Sequence, residues 1–395
     1  MTRTVSEYSH LVFDSFLGEK GTAVASSPDG SLFVVGTSSG RIFVFGRCSG
    51  VWRCRLLPVV FDGEILRLKL LEGNVVCFIV SDDKFINFVS WKCDLFDDYS
   101  GANMVPDFTL TKKFSERDFL LAEGSFGRIH TFDVAQYGRL YWLGYSGKLV
   151  SAQFRGLTES SFDSLSLSCC HSFNCFPGMV FALSSSLDGQ RVLYSTSDST
   201  NLHVLNVEAS KHFCDTSYGG HEDWITALKV SEENENLFIS GDSSGQVCFW
   251  DSRCRQPLVS SWHFFRSITS VDILSNPLRM ILAFGPHEDY IIEDEEPLYR
   301  GVLFSYIDLR QCLFDKGLYE QRRVKDNMDK VSMGQIVSSH AEGDDQVVAM
   351  DMDARKSRIV YTTYDGYIRV LSRNLLEEQL TQLLPRLRQR ELGFS

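Results

Sequence analysis

Apolar residues along this chain fall in short alternating runs separated by turns rich in Gly, Ser and Asp. The segment Val24-Ala25-Ser26-Ser27-Pro28-Asp29-Gly30-Ser31-Leu32-Phe33-Val34-Val35-Gly36-Thr37-Ser38-Ser39-Gly40-Arg41-Ile42-Phe43-Val44-Phe45 is the clearest case near the start. Its Pro-Asp-Gly and Ser-Ser-Gly steps are turn chemistry, and the runs between them have the period of two that buries one face of a strand. The pattern returns at Ile65 to Leu68 with Val75 to Val89, and again at Ile129 to Val134 with Leu140 to Val150. A fourth copy runs from Val180 through Leu187-Asp188-Gly189 to Leu205, and a fifth lies around Gly220 to Asp251. The sixth spans Ile268 to Val271, Met280 to Phe284 and Val302 to Tyr306, and the seventh Val347 to Met350 with Ile359 to Leu371.

The fifth copy carries the most specific signature. Gly220-His221 is followed about 30 residues later by Trp250-Asp251, with an apolar strand (Trp224 to Leu228) and a hairpin (Leu237 to Phe249) between. This GH…WD frame resembles the WD40 repeat, which implies an all-β, seven-bladed WD40 β-propeller with a sheet of four strands per blade. Seven units in 395 residues take about 56 each, above the usual roughly 40–45, so long loops are expected. Leu11-Val12-Phe13 precedes the first unit and is placed to add the outer strand of the last, closing the ring and covering two open edges. The propeller is expected over residues 1–373, with a short C-terminal helical or disordered tail over 374–395. Asp94 to Lys113 reads as a polar loop, and His287 to Arg300 as an acidic insertion in the sixth blade. In the tail, Leu376, Leu380 and Leu383 lie near helical spacing, ahead of Pro385 and the basic Arg386, Arg388 and Arg390.

Net charge of −12 makes direct binding to nucleic acid unfavourable. Eleven cysteines, an odd number without a C-x-x-C pair, fit a reducing compartment, with Cys77 and Cys248 as buried strand thiols. The N-terminal residues lack the apolar core of a signal peptide, and no apolar run is long enough to span a membrane.

Candidate chemistry is sparse. Gly36-Thr37-Ser38-Ser39-Gly40 and Gly241-Asp242-Ser243-Ser244-Gly245 both match G-x-S-x-G, the elbow that presents a nucleophilic serine at a strand-turn-helix. Both fall at the same turn of the repeat, so the motif reports the repeat. Cys169-Cys170-His171 with Cys175 is the one cluster resembling a metal site, in what reads as a Ser-rich linker (Ser160 to Ser172) before the fourth blade. Adjacent cysteines on a strand would face opposite ways, against a shared ion. His221 is expected to hydrogen-bond inside its blade with Ser240 and Trp250, with Asp251 in the same structural group. The acid of such a network, six residues before the tryptophan, is replaced by Ser244, which predicts a weakened network. No catalytic residue, cofactor or metal is assigned. Trp224 and Arg253, flanking the strong repeat, are candidate interaction residues together with the tail leucines Leu376, Leu380 and Leu383.

The order of the blades is also similar to that of the WD-repeat subunits of the THO (TREX) mRNA-export complex. The residues concerned are Phe61-Asp62-Gly63, a second blade ending near Trp91, and Gly220-His221-Glu222-Asp223-Trp224-Ile225 leading to Trp250-Asp251-Ser252-Arg253. That resemblance implies a non-catalytic scaffold in a multi-subunit nuclear assembly, binding other protein subunits and meeting nucleic acid only indirectly. The same fifth blade, with Thr269-Ser270-Val271 to Gly285 after it, resembles the WD-repeat hydrolases that cleave the methyl ester of diphthine on elongation factor 2. In those the strong blade lies one place earlier. This alternative implies a cytoplasmic enzyme. Another WD40 adaptor is the third possibility.

Overall fold

The alternating runs pair antiparallel into a succession of small sheets. The structure, a computed structural model, describes residues 10–27, 30–48, 51–57, 60–71, 75–81, 85–91, 108–115, 118, 127–135, 140–155, 165–207, 216–262, 267–275, 278–285, 303–308, 336–338, 346–353 and 358–372. The tail leucines Leu376, Leu380 and Leu383 and the acidic insertion lie outside them.

The first blade pairs β2 (Gly21–Ser26), β3 (Leu32–Thr37), β4 (Ile42–Cys48) and β5 (Val51–Leu56) in chain order. The second follows with β6 (Ile65–Leu71), β7 (Val75–Val80), β8 (Phe85–Trp91) and β9 (Phe108–Ser115). The third has β10 (Thr131–Ala135), β11 (Leu140–Gly144), β12 (Ser146–Arg155) and the start of the long β13 (Ser166–Ser185). The end of β13 opens the fourth, with β14 (Arg191–Thr196), β15 (Leu202–Asn206) and β16 (Thr216–Tyr218). The fifth contains β17 (Ile225–Val230), β18 (Leu237–Asp242), β19 (Gln246–Asp251) and β20 (Val259–Trp262). The sixth contains β21 (Ile268–Ser275), β22 (Leu278–Phe284), β23 (Leu303–Asp308) and β24 (Ile336–Ser338). The seventh takes β25 (Val347–Met352), β26 (Arg358–Thr363) and β27 (Tyr367–Ser372), and completes itself with the N-terminal β1 (His10–Phe16).

Each innermost strand packs beside that of the next blade, and β2 packs beside both β6 and β25. The chain is therefore an all-β, seven-bladed β-propeller whose ring is closed by pairing its two ends.

Two expectations need correction. Residues 108–113 are not loop but part of β9, the outer strand of the second blade, antiparallel to β8. The residues Ser166 to Ser172 are likewise not a linker but strand β13, pairing Arg155 to Val150 of β12. In both cases a polar outer strand, which buries one face only, lacks the apolar run that marks the inner strands.

Adjacent blades are joined by apolar packing between sheet faces and by hydrogen bonds that recur with the repeat. Ile79, Ile86 and Phe88 of the second blade meet Ile129, Tyr141 and Leu143 of the third, and equivalent mixed clusters fill the other junctions. At the second residue of an inner strand, Thr22, Thr226 and Thr269 donate through Oγ1 to the carbonyls of Ile65, Ile268 and Val347 in the next blade, at 2.7, 2.6 and 3.1 Å. Nearer the other end of the inner strands, the acceptor sits on a side chain. Asp133, Ser184 and Asp351 receive the backbone N–H of Ser185, Val230 and Ser26 across the junction.

The first glycine of each G-x-S-x-G motif belongs to this junction. A Cβ on Gly36 would stand 2.4 Å from Cγ2 of Ile65, and one on Gly241 2.4 Å from Cγ2 of Ile268. The last glycines, Gly40 and Gly245, take φ of +78° and +92° in the turn. Both glycines of the motif thus serve packing and turning. Gly241→Ala is expected to cost about 1–3 kcal/mol, because Ile268 is β-branched and fixed in β21 against the fifth blade. Urea denaturation checks this against Gly219→Ala as a surface control, an exposed position without positive φ whose nearest neighbour is the Asn201 side chain.

Candidate functional site

His221 lies in the connection into the fifth blade, four residues before β17 begins at Ile225. Its Nδ1 lies 2.9 Å from Asp242 Oδ2 and its Nε2 2.6 Å from Ser240 Oγ, which also accepts the Trp250 indole N–H at 2.7 Å. A neutral imidazole protonated on Nδ1 satisfies every member: indole to hydroxyl, hydroxyl to imidazole, imidazole to carboxylate. The weakening expected from Ser244 does not occur. Asp242, at the end of β18, supplies the acid, its other oxygen accepting the N–H groups of Ser244 and Gln246 and the Ser244 hydroxyl at 2.8–3.1 Å. Asp251 stands apart from this network and pairs with Arg253, whose hydrogen bonds hold its carboxyl below the usual range.

Ser240, His221 and Asp242 have the connectivity of a hydrolytic triad, but not the access. Ser240 and Asp242 are fully buried, and the Ser240 hydroxyl already accepts from Trp250. A nucleophile needs a free line to substrate and an oxyanion hole beside it. Ser38 and Ser243 lie in turns of four and three residues between strands rather than ahead of a helix, so neither is an elbow nucleophile. Burial pushes the Cys77 thiol well up and Cys248 up to about 12, which removes both as thiolates at neutral pH. Among the described residues no three of His, Cys, Asp and Glu converge as a metal site.

The inner strands line a central cavity of about 170 Å³, with residues from all seven blades on its wall. One tier carries Lys69, Asp133, Ser184, Lys229, Asp272 and Asp351. Burial acts against the Lys229 ammonium, but Asp272, Glu232, Asp133 and Asp351 outweigh it and its pKa is raised. Asp133 and Asp351 also receive the junction N–H groups described above, so these two charges help to hold the ring, while Asp272 accepts the N–H of its neighbour Ile273.

The two ends of the ring differ. Inner strands begin at one end, here termed the entry face, which also carries the turns between second and third strands. Phe16, Leu56, Val60, Phe176, Trp224 and Tyr364 are exposed there, whereas Leu187 alone of the large exposed apolar residues described lies at the opposite face. Trp224 is 51% exposed, its carbonyl accepting the Ser243 N–H and its ring 6.2 Å from Phe181. Arg253 follows β19, which runs from the entry face to the opposite one. The two interaction candidates flanking the strong repeat therefore sit on opposite faces and do not form one site. Sequence reasoning missed Phe176, Val60 and Tyr364, which share a face with Trp224 only once the ring is assembled.

The family profile described as WD domain, G-beta repeat, matches residues 213–251, the segment that holds His221, Ser240, Asp242 and Trp250. The chain carries a WD40 repeat. No curated protein matches the chain at a significant level. The WD40 repeat takes in the whole of β16 through β19, so it joins the outer strand of one blade to three strands of the next. WD40 domains generally mediate interactions with other proteins, and the entry face is where this one concentrates exposed apolar surface.

Proposed function

We propose that the chain is a non-catalytic scaffold that holds other proteins of a multi-subunit complex through the entry face of its propeller. The observation that carries this reading is the gathering of Phe16, Leu56, Val60, Phe176, Trp224 and Tyr364 on a single face. Large apolar residues on one rigid surface are what a partner's anchor residues dock against. The blade order, similar to that of the THO-complex subunit, supports a nuclear mRNA-processing and export assembly as the setting, with RNA met through partner proteins. The overall charge of −12 is in keeping with that indirect role. The diphthine methyl ester hydrolase alternative calls for an accessible nucleophile, whereas the Ser240 hydroxyl beside His221 is fully buried.

Purification of the tagged full-length protein from its own cells tests this. Co-elution of THO-type subunits, lost in a Trp224→Ala/Tyr364→Ala variant, is the expected result. Recovery of elongation factor 2 without export subunits, or turnover of a diphthine methyl ester by the pure protein, would sink the scaffold reading.

A further inference from the structure

The entry face of the fourth and fifth blades combines exposed aromatic rings with unpaired acids. Phe176, 42% exposed, stacks at 4.0 Å on His203, while Trp224, at the start of the fifth blade, lies tilted against Phe181 of the fourth, ring centres 6.2 Å apart. His203 is itself 1% exposed, and neither of its ring nitrogens has a hydrogen-bond partner. Asp198 lies against Gly178, two residues from Phe176, and Glu222 and Asp223 immediately precede Trp224. Asp198 and Glu222 are exposed, Asp198 accepts only the neighbouring Ser197 hydroxyl, and Asp223 accepts the Trp224 N–H. No ion pair to any of the three is formed among the described residues.

We infer that this patch binds a cationic segment of a partner protein, in which Arg or Lys side chains alternate with apolar ones. The inference rests on the scaffold reading and names the partner chemistry for it. An indole face attracts a guanidinium or ammonium group through its quadrupole, and the three carboxylates supply the complementary charge at the rim. The apolar residues of the same segment would cover Phe176 and Phe181, removing their surface from water. A phosphate backbone would face three carboxylates here, so nucleic acid is disfavoured at this patch.

The test uses full-length protein and fluorescein-labelled peptides of alternating Arg and Leu or alternating Glu and Leu, with single-stranded RNA as a third probe, in a polarisation assay. The Arg-Leu peptide is expected to bind, and the Glu-Leu peptide and RNA are not. Trp224→Ala should weaken binding by about tenfold or more, as for an aromatic anchor. The combined variant Asp198→Asn, Glu222→Gln and Asp223→Asn should weaken it about tenfold at low salt and flatten its salt dependence. Asp223→Asn keeps the acceptor for the Trp224 N–H, and circular dichroism melts verify that both variants fold. Neutralising Glu64 and Asp365 instead, on the same face but in other blades, should leave affinity unchanged. Equal binding by wild type and the Trp224→Ala protein, or tighter binding of the Glu-Leu peptide or RNA, overturns the inference. If co-purifying subunits depend on Trp224 but not on the three acids, the scaffold stands and the cationic partner falls; if no subunit co-purifies at all, the scaffold reading is what fails.

Discussion

His221→Ala should destabilise the protein by about 3–5 kcal/mol, the largest loss expected from any single side chain outside the apolar core. The imidazole joins two groups that have no access to water: Asp242 Oδ2 at 2.9 Å and Ser240 Oγ at 2.6 Å, both on residues with 0% exposure. Without it the carboxylate keeps its turn N–H donors on one oxygen and loses its partner on the other. The Ser240 proton loses its acceptor, while the Trp250 N–H remains bonded. An unsatisfied buried hydroxyl adds about 1–3 kcal/mol to the cost of the stranded charge. Trp250→Phe provides the graded comparison. It removes the indole donor but keeps an aromatic ring against Phe238, stacked at 6.0 Å, and beside Tyr218, so about 1–2 kcal/mol is expected. Urea unfolding of the two variants measures both numbers. A His221→Ala protein within 1 kcal/mol of wild type would show that the network is decoration and that apolar packing between blades alone sets the stability.

The blades themselves were legible because a propeller is built from local hairpins. Each inner trio of strands alternates strongly, is punctuated by Gly and Asp turns, and pairs with its sequence neighbours, so period and turn chemistry suffice. Outer strands were harder. β9 and the start of β13 are polar, face solvent on one side and follow long connections, and their pairing with β8 and β12 is a property of the ring rather than of their own residues. The buried network illustrates a different limit. Counting back from Trp250 leads to Ser244, yet Asp242 reaches His221, because an aspartate closing a strand can bridge its own turn and still point inward. Surface sites were least legible of all. Trp224 and Arg253 are close in sequence but separated by the length of β19, about 20 Å at the rise of an extended strand. Trp224 and Tyr364 are far apart in sequence and share a face because inner strands begin at the same end of the ring that carries the second-to-third-strand turns.

A chain beginning at Gly18 should lose the closed ring, and with it more stability than any point substitution removes. β1 pairs with β27 along its length, from His10 opposite Ser372 to Phe16 opposite Tyr367, and no other strand among the described residues covers that edge. It also delivers Phe13 into an aromatic cluster, 5.9 Å from Phe33, 5.6 Å from Phe45 and 5.8 Å from Trp52, which belong to the first blade. β1 therefore holds both the outer edge of the last blade and the face of the first. Its removal exposes Phe33 and Phe45, strips a ladder of backbone hydrogen bonds from β27 and leaves a bare strand edge. Burial of Val12, Phe13 and Leu17 at about 1.5–3 kcal/mol each, scaled down for their partial exposure, already suggests about 4–5 kcal/mol before the ladder is counted. The truncated chain is expected to melt far below the full one and to associate through β27, which calorimetry and light scattering would register. A peptide spanning residues 8–18 should bind the truncated chain and raise its melting temperature, because the groove between β27 and the first blade is shaped by residues that remain. Phe13→Ala, which keeps the ladder and removes only the ring, should fall between the two, near about 2–3 kcal/mol. If the truncated chain stays monomeric and melts with the full-length protein, closure through the N-terminal strand contributes nothing, and the seven blades hold together by face-to-face packing alone.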